Sequence, residues 1–466
     1  MRTVSEITSE LVALVGMQSA APQAVALGGR EPGLPSSFRV GAAAQATFAA
    51  VGIAAAQRLR RRTGISQTVL ADMEHAVAAF QSERFLSLNG QRVKGFRDPL
   101  AGVYRCRNDG WFRPHITFPH HKTALLQVLG LRPDVERDGL AAEIGQWNSV
   151  ALEEAVYRSN GVGAALRTAA EWDDHPQSAA VAADPLIRLT RIADAPARDV
   201  RSQRDLPLDR VRVLDLTRVI AGPVCGRALA AYGAEVLAVS SDRLPAIEQL
   251  VLDTNRGKRS ANIDLETAEG ASILRRLVHT VDIFLQSYRP GSLAARGFGP
   301  ADLAKLRPGL IYVQLSAFGD KGPWANRRGF DSLVQTATGF NAEEMAAARS
   351  DTPMELPCQI LDHASGQLMA LGAIAALEHR AREGGSWQVD VSLAATGRWL
   401  KSLGRLEDGL SFEYRGSRPE DMSPQTRSIF GSMQGVKPTP QFSKTVLPDL
   451  RPTVSLGSDP ALWSDQ

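Results

Sequence analysis

The fold is decided by five short apolar runs in the middle of the chain, VRVLDL (211–216), AEVLAV (234–239), ANIDL (261–265), VDIFLQ (281–286) and LIYVQL (310–315). Each run is rich in β-branched or large apolar residues, and segments with helical periodicity separate most of them. Apolar strands that alternate with helices form parallel sheets whose two faces are both covered. The sequence therefore predicts an α/β protein built on a parallel sheet.

The carboxyl ends of these strands are the expected place for a ligand, because α/β sheets bind ligands there, near a reversal of strand order. Loop 255–259, which precedes the third strand, and loop 287–291, which follows the fourth, are basic, and the Ala-Gly-Pro of loop 217–223 lets a ligand approach the backbone closely. One basic loop is usually solvated surface, but several around one sheet edge indicate a ligand that carries phosphates. Motifs for NAD binding, for P-loops and for serine hydrolases are absent, so no NAD is expected.

The composition predicts a cytoplasmic protein that binds neither nucleic acid nor membranes. The chain has 466 residues, with 53 Lys and Arg scattered among 50 Asp and Glu. No uncharged apolar stretch of about 18 residues is expected, and two glutamates stand where a signal peptide needs its apolar core. Cys106, Cys225 and Cys358 are too far apart for a disulfide framework or a zinc site, which indicates a reducing compartment.

The chain divides into five zones that differ in composition and in the pattern of apolar residues. They are a lead-in (1–33), a zone with an Ala-rich helix and mixed elements (34–195), a polar linker (196–209), the alternating β/α zone (210–404) and a Pro-rich tail (405–466). The 210–404 zone is predicted to be a Rossmann-like domain. The 34–195 zone, with its strand-like segment 111–118, is predicted to hold a second, smaller α/β domain.

An internal repeat links two of these zones. The stretch from Leu34 reads LPSSFRVGAAAQATFAAVGIAAAQRLRRRTGISQTV, and the stretch from Leu356 reads LPCQILDHASGQLMALGAIAALEHRAREGGSWQVDV. Both begin with Leu-Pro, continue as an Ala-rich helix with a basic end, and reach a short strand after a Gly turn. The second copy carries Asp362, whereas residues 36–47 of the first copy contain no carboxylate. We therefore expect only the second copy to do chemistry.

Asp362 precedes a predicted helix at 367–380, and two roles stay open for it. As an N-cap it would accept a backbone N–H and stabilise the helix by about 1 kcal/mol. As a nucleophile it would be oriented by the helix amides, while the small residues Ala364, Ser365 and Gly366 leave backbone N–H groups accessible to an oxyanion.

Three histidines, His115, His120 and His121, stand together in HITFPHH. No Cys or acidic partner lies at ligand spacing, so we interpret them as partly exposed loop histidines and expect no metal site.

Seven motifs follow one another in unbroken order along 211–404, namely VRVLDLTRVIAGP, YGAEVL, NRGKRSANIDL, VDIFLQSYRPGSLAARGFG, GDKGPW, GFDSLVQTATG and LDHASGQLMALGAIAAL. Together they resemble the class III CoA-transferase family, which includes formyl-CoA and carnitine CoA-transferases and is related to α-methylacyl-CoA racemases.

The resemblance implies an acyl-CoA:carboxylate CoA-transferase in which Asp362 is the catalytic nucleophile. Asp362 would form an acyl-aspartyl anhydride and then an aspartyl-CoA thioester, with coenzyme A as substrate and product and with no metal or redox cofactor. The resemblance also implies CoA contacts by Ile220, Ala221, Ile263, Asp264, Leu265, Glu266, Ser287, Tyr288, Arg289, Ser316, Ala317 and Phe318. Two departures from the family are Phe318 in place of a frequent Tyr and Ala295 in place of an Arg, with Arg296 next to it. Arg243 is the candidate residue to hold the adenine end of CoA.

The domain order differs from that of the family. Residues 107–177 are similar to the family's small domain and return linker, which normally follow the half that carries the aspartate. The chain thus resembles the rear part of one family unit, without its nucleophile, fused ahead of the front part of another. The small domain is expected to dock over the carboxyl edge of the sheet and to limit water access. Because family members are interlocked, ring-like dimers, the resemblance implies a homodimer.

Two other functions stay open. A racemase of this superfamily pairs the aspartate with a histidine in Gly-His-Asp, and here the triplet is Gly329-Phe330-Asp331, in which Phe330 cannot take a proton. A catalytically silent CoA-binding scaffold protein is the other alternative, suggested by the altered domain order and the missing adenine-side residues.

Overall fold

The computed structural model describes residues 1–18, 24–95, 98–200 and 206–464. The α-helices in these ranges are α1 (Val4–Leu14), α2 (Val40–Thr63), α3 (Met73–Ala79), α4 (Ser82–Phe85), α5 (Pro119–Leu129), α6 (Arg137–Ile144), α7 (Ser149–Arg158), α8 (Ala169–Asp173), α9 (Pro176–Ala182), α10 (Ala221–Ala231), α11 (Glu248–Thr254), α12 (Ala268–Val278), α13 (Pro300–Leu306), α14 (Asp331–Ala337), α15 (Phe340–Ala347), α16 (Ile360–Glu383) and α17 (Leu393–Ser402).

The strands in the same ranges are β1 (Val25–Gly28), β2 (Val69–Asp72), β3 (Ser87–Leu88), β4 (Gln91–Arg92), β5 (Tyr104–Arg105), β6 (Trp111–Pro114), β7 (Gly163–Ala165), β8 (Arg188–Ala193), β9 (Arg212–Leu216), β10 (Glu235–Ser240), β11 (Arg259–Asn262), β12 (Ile283–Gln286), β13 (Ile311–Ser316), β14 (Ser386–Ser392), β15 (Thr426–Ser428), β16 (Gly431–Gln434) and β17 (Gln441–Phe442).

The large sheet has seven strands in the order β11-β10-β9-β12-β13-β14-β8. All neighbours are parallel except β8, which runs antiparallel to β14. The five apolar runs form β9 to β13, which confirms the predicted α/β class and its parallel sheet. The strand order reverses between β9 and β12, where the chain turns from one side of the sheet to the other.

A smaller α/β unit lies in residues 104–165. Strands β5, β6 and β7 form an antiparallel sheet, and helices α5, α6 and α7 pack on it around Phe112, Leu125 and Leu152. The predicted strand 111–118 ends at Pro114, because Pro119 stands at the first turn of α5, where proline favours a helix start. We call this unit, with its connections to residue 182, the small domain.

The helices α2 and α16 form the centre of the protein. Each has 24 residues, and they pack against each other with most of their residues buried. Both are long and apolar enough to span a membrane, but 89% and 100% of their apolar windows are buried inside the protein. The sequence expectation that no uncharged apolar stretch of this length exists is therefore wrong for α2, whose residues 40–57 carry no charge, whereas Asp362 and Glu378 interrupt the apolar stretch of α16.

Strands from one predicted zone pair with strands from another. β8 comes from the 34–195 zone but forms the edge of the large sheet, next to β14. β17 comes from the tail and pairs antiparallel with β2, which is parallel to β1. The tail also joins β15 and β16 to β3 and β4, and it buries Trp463. The zone boundaries stay predictions, and residues 201–205 of the predicted linker lie outside the described residues.

A buried ion cluster joins the last turns of α2 and α16. The fully buried Arg58 reaches Glu378 and Asp199 at 2.8 Å each, and Arg61 contacts the same two carboxylates at 2.7 Å. Burial would raise the pKa of Glu378, but the hydrogen bond from Arg61 and the charge of Arg58 outweigh it and hold this pKa below its usual value. The carboxylate is thus charged because arginines surround it.

Replacing Arg58 by Met should destabilise the fold by about 3–5 kcal/mol, because Glu378 would become a buried charge with too few partners. Urea unfolding at pH 7 measures this loss. Arg132→Ala is the control, since its ion pair with Asp134 is exposed at 85% and 69% and contributes less than about 1 kcal/mol. A loss for Arg58→Met as small as that of the control would show that the cluster does not hold the helices together.

Candidate active site

A cavity of about 350 Å³ opens at the carboxyl edge of the large sheet, where the strand order reverses. The loops after β9, β12 and β13 line it, and so does Asp362 on the first turn of α16. Phe118, His120 and His121 of the small domain form part of the opposite wall. The small domain therefore contacts the edge at which α/β sheets bind their ligands.

Most of the site residues expected from the resemblance line this cavity. They are Asp362, Ile220, Ala221, Ser287, Tyr288, Arg289, Ser316 and Ala317. Their roles as nucleophile and CoA contacts stay predictions, but the fold brings them together as the strand-end argument requires.

The other five expected CoA contacts lie outside the cavity. Four of them, Ile263, Asp264, Leu265 and Glu266, follow β11 near the far edge of the sheet. Asp264 pairs there with Arg243 at 2.7 Å and Glu266 pairs with Arg296 at 2.6 Å, so both arginines considered for CoA already have carboxylate partners. The fifth, Phe318, is buried and packs against Trp324, with ring centroids 4.9 Å apart.

Asp362 is not an N-cap, which corrects one of its two predicted roles. The helix begins at Ile360 rather than near 367, and the N-cap is Gln359, whose side chain makes no capping hydrogen bond. Asp362 is the third helical residue, and its own N–H donates to Asp331 Oδ2 at 2.9 Å. Asp331, from the start of α14, therefore caps α16 and leaves the Asp362 carboxylate with no hydrogen bond among the described residues.

The expected oxyanion site at Ala364, Ser365 and Gly366 is also corrected. These residues lie inside α16, where the N–H of each residue bonds the carbonyl four residues before it, beginning with His363 to Gln359 at 3.0 Å. Their small side chains instead serve packing, since a Cβ on Gly366 would stand 2.6 Å from the Ala221 carbonyl oxygen.

Burial controls the electrostatics of the two aspartates. It raises the pKa of Asp362 well above its usual value, and the carboxylates of Asp331 and Glu83 raise this pKa further. Burial also raises the pKa of Asp331 to about 7, although hydrogen bonds from the Asp362 N–H and the Gln335 amide act in the opposite direction. Near neutral pH, Asp331 and Asp362 together therefore carry less than two negative charges.

Three arginines without carboxylate partners among the described residues line the same cavity, namely Arg218, Arg289 and Arg328. Burial lowers the pKa of Arg218, and burial together with Arg289 lowers that of Arg328, as expected for cations whose charge nothing nearby offsets. Unpaired guanidinium groups are suited to phosphate and carboxylate groups of a ligand. Sequence reasoning did not single out Arg218 and Arg328, although Arg218 stands in the strand-end loop 217–222.

His115 is half-buried and His120 is exposed, as the sequence predicted, whereas His121 is buried. His121 is only 3% exposed, and the His115 ring stacks on Phe330 with centroids 3.6 Å apart. Burial lowers the pKa of both imidazoles to about 3, so they are neutral at physiological pH. His363, next to Asp362 in sequence, lies 3.2 Å from Glu83 Oε2 and stacks on Phe80.

The first copy of the repeat has a closed counterpart of this site. Ala42 is the third residue of α2, as Asp362 is of α16. A Cβ on the neighbouring Gly41 would stand 2.3 Å from the Pro32 carbonyl oxygen, so the loop before the helix lies directly on its first turn. Arg39 at the N-cap pairs with Glu31 of the same loop. The described residues thus offer neither a carboxylate nor space at this position.

The fold and the cavity define an α/β protein with arginines at the carboxyl edge of its sheet and, at a helix start, an aspartate whose carboxylate has no hydrogen bond among the described residues. The model of CoA-transferase family III matches residues 13–203 and 208–425 of the chain. The chain therefore belongs to this family.

Curated relatives match part of the chain. It is 36% identical over 200 residues to a probable fatty acyl-CoA transferase of Mycobacterium tuberculosis, covering 40% of this chain and 50% of that protein. It is also 36% identical over 199 residues to a succinyl-CoA–D-citramalate CoA-transferase of Chloroflexus aurantiacus, covering 40% and 49%. A succinyl-CoA:glutarate CoA-transferase of Mus musculus is 32% identical over 203 residues, covering 41% and 46%. The chain spans about half the length of the curated relatives it matches.

Two solved structures show similar partial matches. A hypothetical protein from Mycobacterium tuberculosis is 36% identical with a TM-score of 0.38, over 42% of this chain and 57% of that one. A CAIB/BAIF family protein from Brucella suis is 27% identical with a TM-score of 0.37, over 47% and 62%.

Replacing Asp331 by Asn should change how stability depends on pH. The folded-state pKa of Asp331, about 7, lies above the unfolded value of about 4, so the wild type loses stability as pH rises from 4 to 7. The Asn variant has no carboxyl at position 331 and therefore lacks this loss, and the pKa of Asp362 should also fall. The substitution can change the free energy of unfolding by an amount that does not depend on pH. Relative to the wild type, the variant should nevertheless become more stable as pH rises from 4 to 7.

Urea unfolding at pH 4.5 and pH 7.5 measures this difference, with the exposed Asp351→Asn as control. Parallel pH dependences for the wild type and Asp331→Asn would mean that the Asp331 carboxyl is not the group that titrates.

Proposed function

We propose that the chain is an acyl-CoA:carboxylate CoA-transferase in which Asp362 is the nucleophile. The observation that carries this proposal is the Asp362 carboxylate, which is 7% exposed, lines the cavity and has no hydrogen bond among the described residues. Membership in CoA-transferase family III and the names of the relatives support the reaction class. A carboxylate with few hydrogen bonds and a raised pKa is a stronger nucleophile than a solvated one.

In the proposed reaction an Asp362 oxygen attacks the thioester carbonyl carbon and CoA leaves as the thiolate, which gives an acyl-aspartyl anhydride. The thiolate then attacks the aspartyl carbonyl carbon, and the first acid leaves as its carboxylate. The acceptor carboxylate attacks the resulting aspartyl-CoA thioester and again releases the thiolate. Attack of the thiolate on the acyl carbon of the acceptor yields the new acyl-CoA and frees Asp362. Each step breaks one bond for the bond it forms, and no redox partner is needed.

The oxyanion of these steps needs donors other than those of α16. Ala221 lines the cavity, and the N–H groups of Ala221 and Gly222 open α10, where no intrahelical acceptor is available to them. We assign the oxyanion to this helix start, because its amides and its dipole both favour negative charge.

The arginines and the small domain complete the proposed site. Arg218, Arg289 and Arg328 would hold the CoA phosphates. The wall from Phe118 to His121 would exclude water, which would otherwise hydrolyse the acyl-aspartyl intermediate. The proposal that coenzyme A binds here rests on these three arginines, which have no carboxylate partners among the described residues.

Replacing Asp362 by Asn should abolish CoA transfer while CoA binding remains. The amide has nearly the same size and leaves the backbone N–H to Asp331 unchanged, but it forms no anhydride. Transfer between a panel of acyl-CoAs and carboxylates, followed by mass spectrometry, measures activity, and hydroxylamine trapping should modify Asp362 in the wild type. Appreciable turnover by the variant, with deamidation excluded, would remove Asp362 from the mechanism.

Racemisation is the competing activity, and it would need a base near Phe330 to take the α-proton. His115 and His121 lie against Phe330, but imidazoles with pKa values of about 3 are weak bases for an α-proton. We therefore expect no deuterium at C2 of a 2-methylacyl-CoA incubated in D₂O without a carboxylate acceptor. Incorporation that disappears in the Asp362→Asn variant would favour the racemase.

A further inference from the structure

The two copies of the repeat have the same architecture in space. The first copy consists of β1, α2, β2 and α3, and the second contains β13, α16, β14 and α17 in the same sequence of strand, long helix, strand and helix. β1 is parallel to β2, and β13 is parallel to β14. Each pair gains an antiparallel third strand from beyond the other copy, β17 for the first and β8 for the second. We call residues 24–200 the first half and residues 206–464 the second half.

Charges on the two long helices show that the halves fit each other rather than copies of themselves. Arg58 and Glu378 are both the nineteenth residue of their helices, and their side chains meet at 2.8 Å in the core. A symmetric pairing of two identical helices would bring two arginines or two glutamates together at this buried position. Like charges there would be costly, so α2 is complementary to α16 and to no second α2.

The mouth of the cavity is also built from both halves. Arg328 of the second half donates to the Asn160 carbonyl at 3.0 Å, and its own carbonyl accepts from the Tyr157 hydroxyl at 2.7 Å, both in the first half. His120 of the first half lines the same cavity. Burial, with the guanidinium groups of Arg328 and Arg218, lowers the pKa of His120, which places it near both cations.

We propose that one chain builds one complete site from its own two halves, the first half orienting the cationic mouth and the second supplying the nucleophile, with no residue from a second copy. The closed position around Ala42 makes this one site per chain rather than two. The inference rests on the proposed function for its activity measurement. It holds whether or not whole chains associate through other surfaces.

The test uses His120→Glu, a first-half variant that should disable the site without unfolding the protein. His120 is exposed, so the substitution is tolerated, and the new carboxylate can pair with Arg218 or Arg328 and remove the cations from CoA. We expect CoA affinity to fall about tenfold or more, as for the loss of one charge-assisted contact. His279→Glu, the same change at an exposed histidine outside the cavity, should bind CoA as the wild type does.

His120→Glu and Asp362→Asn chains with different affinity tags are then coexpressed, and mixed assemblies are purified through both tags. If sites form between copies, a mixed dimer contains one intact site of two and recovers about half of the wild-type activity. If each chain completes its own site, every site carries one defect, and the mixed assemblies show no more activity than the single variants at acyl-CoA concentrations below the KM of His120→Glu. A failure to recover mixed assemblies also supports the proposal, provided that light scattering shows a monomer.

Calorimetry separates this inference from the proposed function. The wild type and Asp362→Asn should each bind one CoA per chain. A wild type that binds one CoA but transfers no acyl group would contradict the proposed function alone. Rescue in the mixed assemblies, two CoA molecules per chain, or wild-type CoA affinity in His120→Glu would overturn the inference.

Discussion

The contact between the Ala-rich helices α2 and α16 is the constraint on which the rest of the structure depends. Small side chains let each helix lie close to its own strand. A Cβ on Gly52 would stand 2.7 Å from Val69 of β2, and a Cβ on Gly372 would stand 2.5 Å from Val389 of β14. Neither glycine can be replaced by a larger residue without displacing a strand, because protein interiors are close-packed. The helix pair therefore holds both sheets at a fixed distance from the centre.

The position of Asp362 follows from the same helix. Gly366 sets α16 against the first turn of α10, and Asp331 fixes the residue at which α16 begins. Because the side chains of a helix advance by a fixed angle per residue, this start places the third residue toward the sheet edge. In α2 the third residue, Ala42, is fully buried, and the neighbouring Gly41 meets the loop at Pro32, so one architecture gives an open site in the second copy and a closed one in the first.

The sequence predicted those features that depend on short-range pattern. The continuous apolar runs of β9 to β13 and the Ala-rich composition of the two long helices are clear local signals, and the strand-end rule located most of the cavity. The start of α16 was misplaced because its cap is Asp331, 31 residues away and not adjacent to the helix. β8 and β17 have no apolar alternation that marks them as partners of β14 and β2. His120 and Arg328 meet only through tertiary packing, so no local signal connects them.

The cavity has a gradient of polarity that fits the order of the proposed reaction. Its mouth carries guanidinium groups without carboxylate partners among the described residues, whereas its interior holds the neutral imidazole of His121, Phe330 and an aspartate whose pKa is raised by burial and by other carboxylates. An acyl-CoA is charged at its phosphates and neutral at its thioester, so it matches both regions in one orientation. In the proposed reaction an acceptor carboxylate would be attracted at the mouth and would lose water as it moves inward. Because a carboxylate with fewer waters is a better nucleophile, the same gradient that would orient the donor would also activate the acceptor.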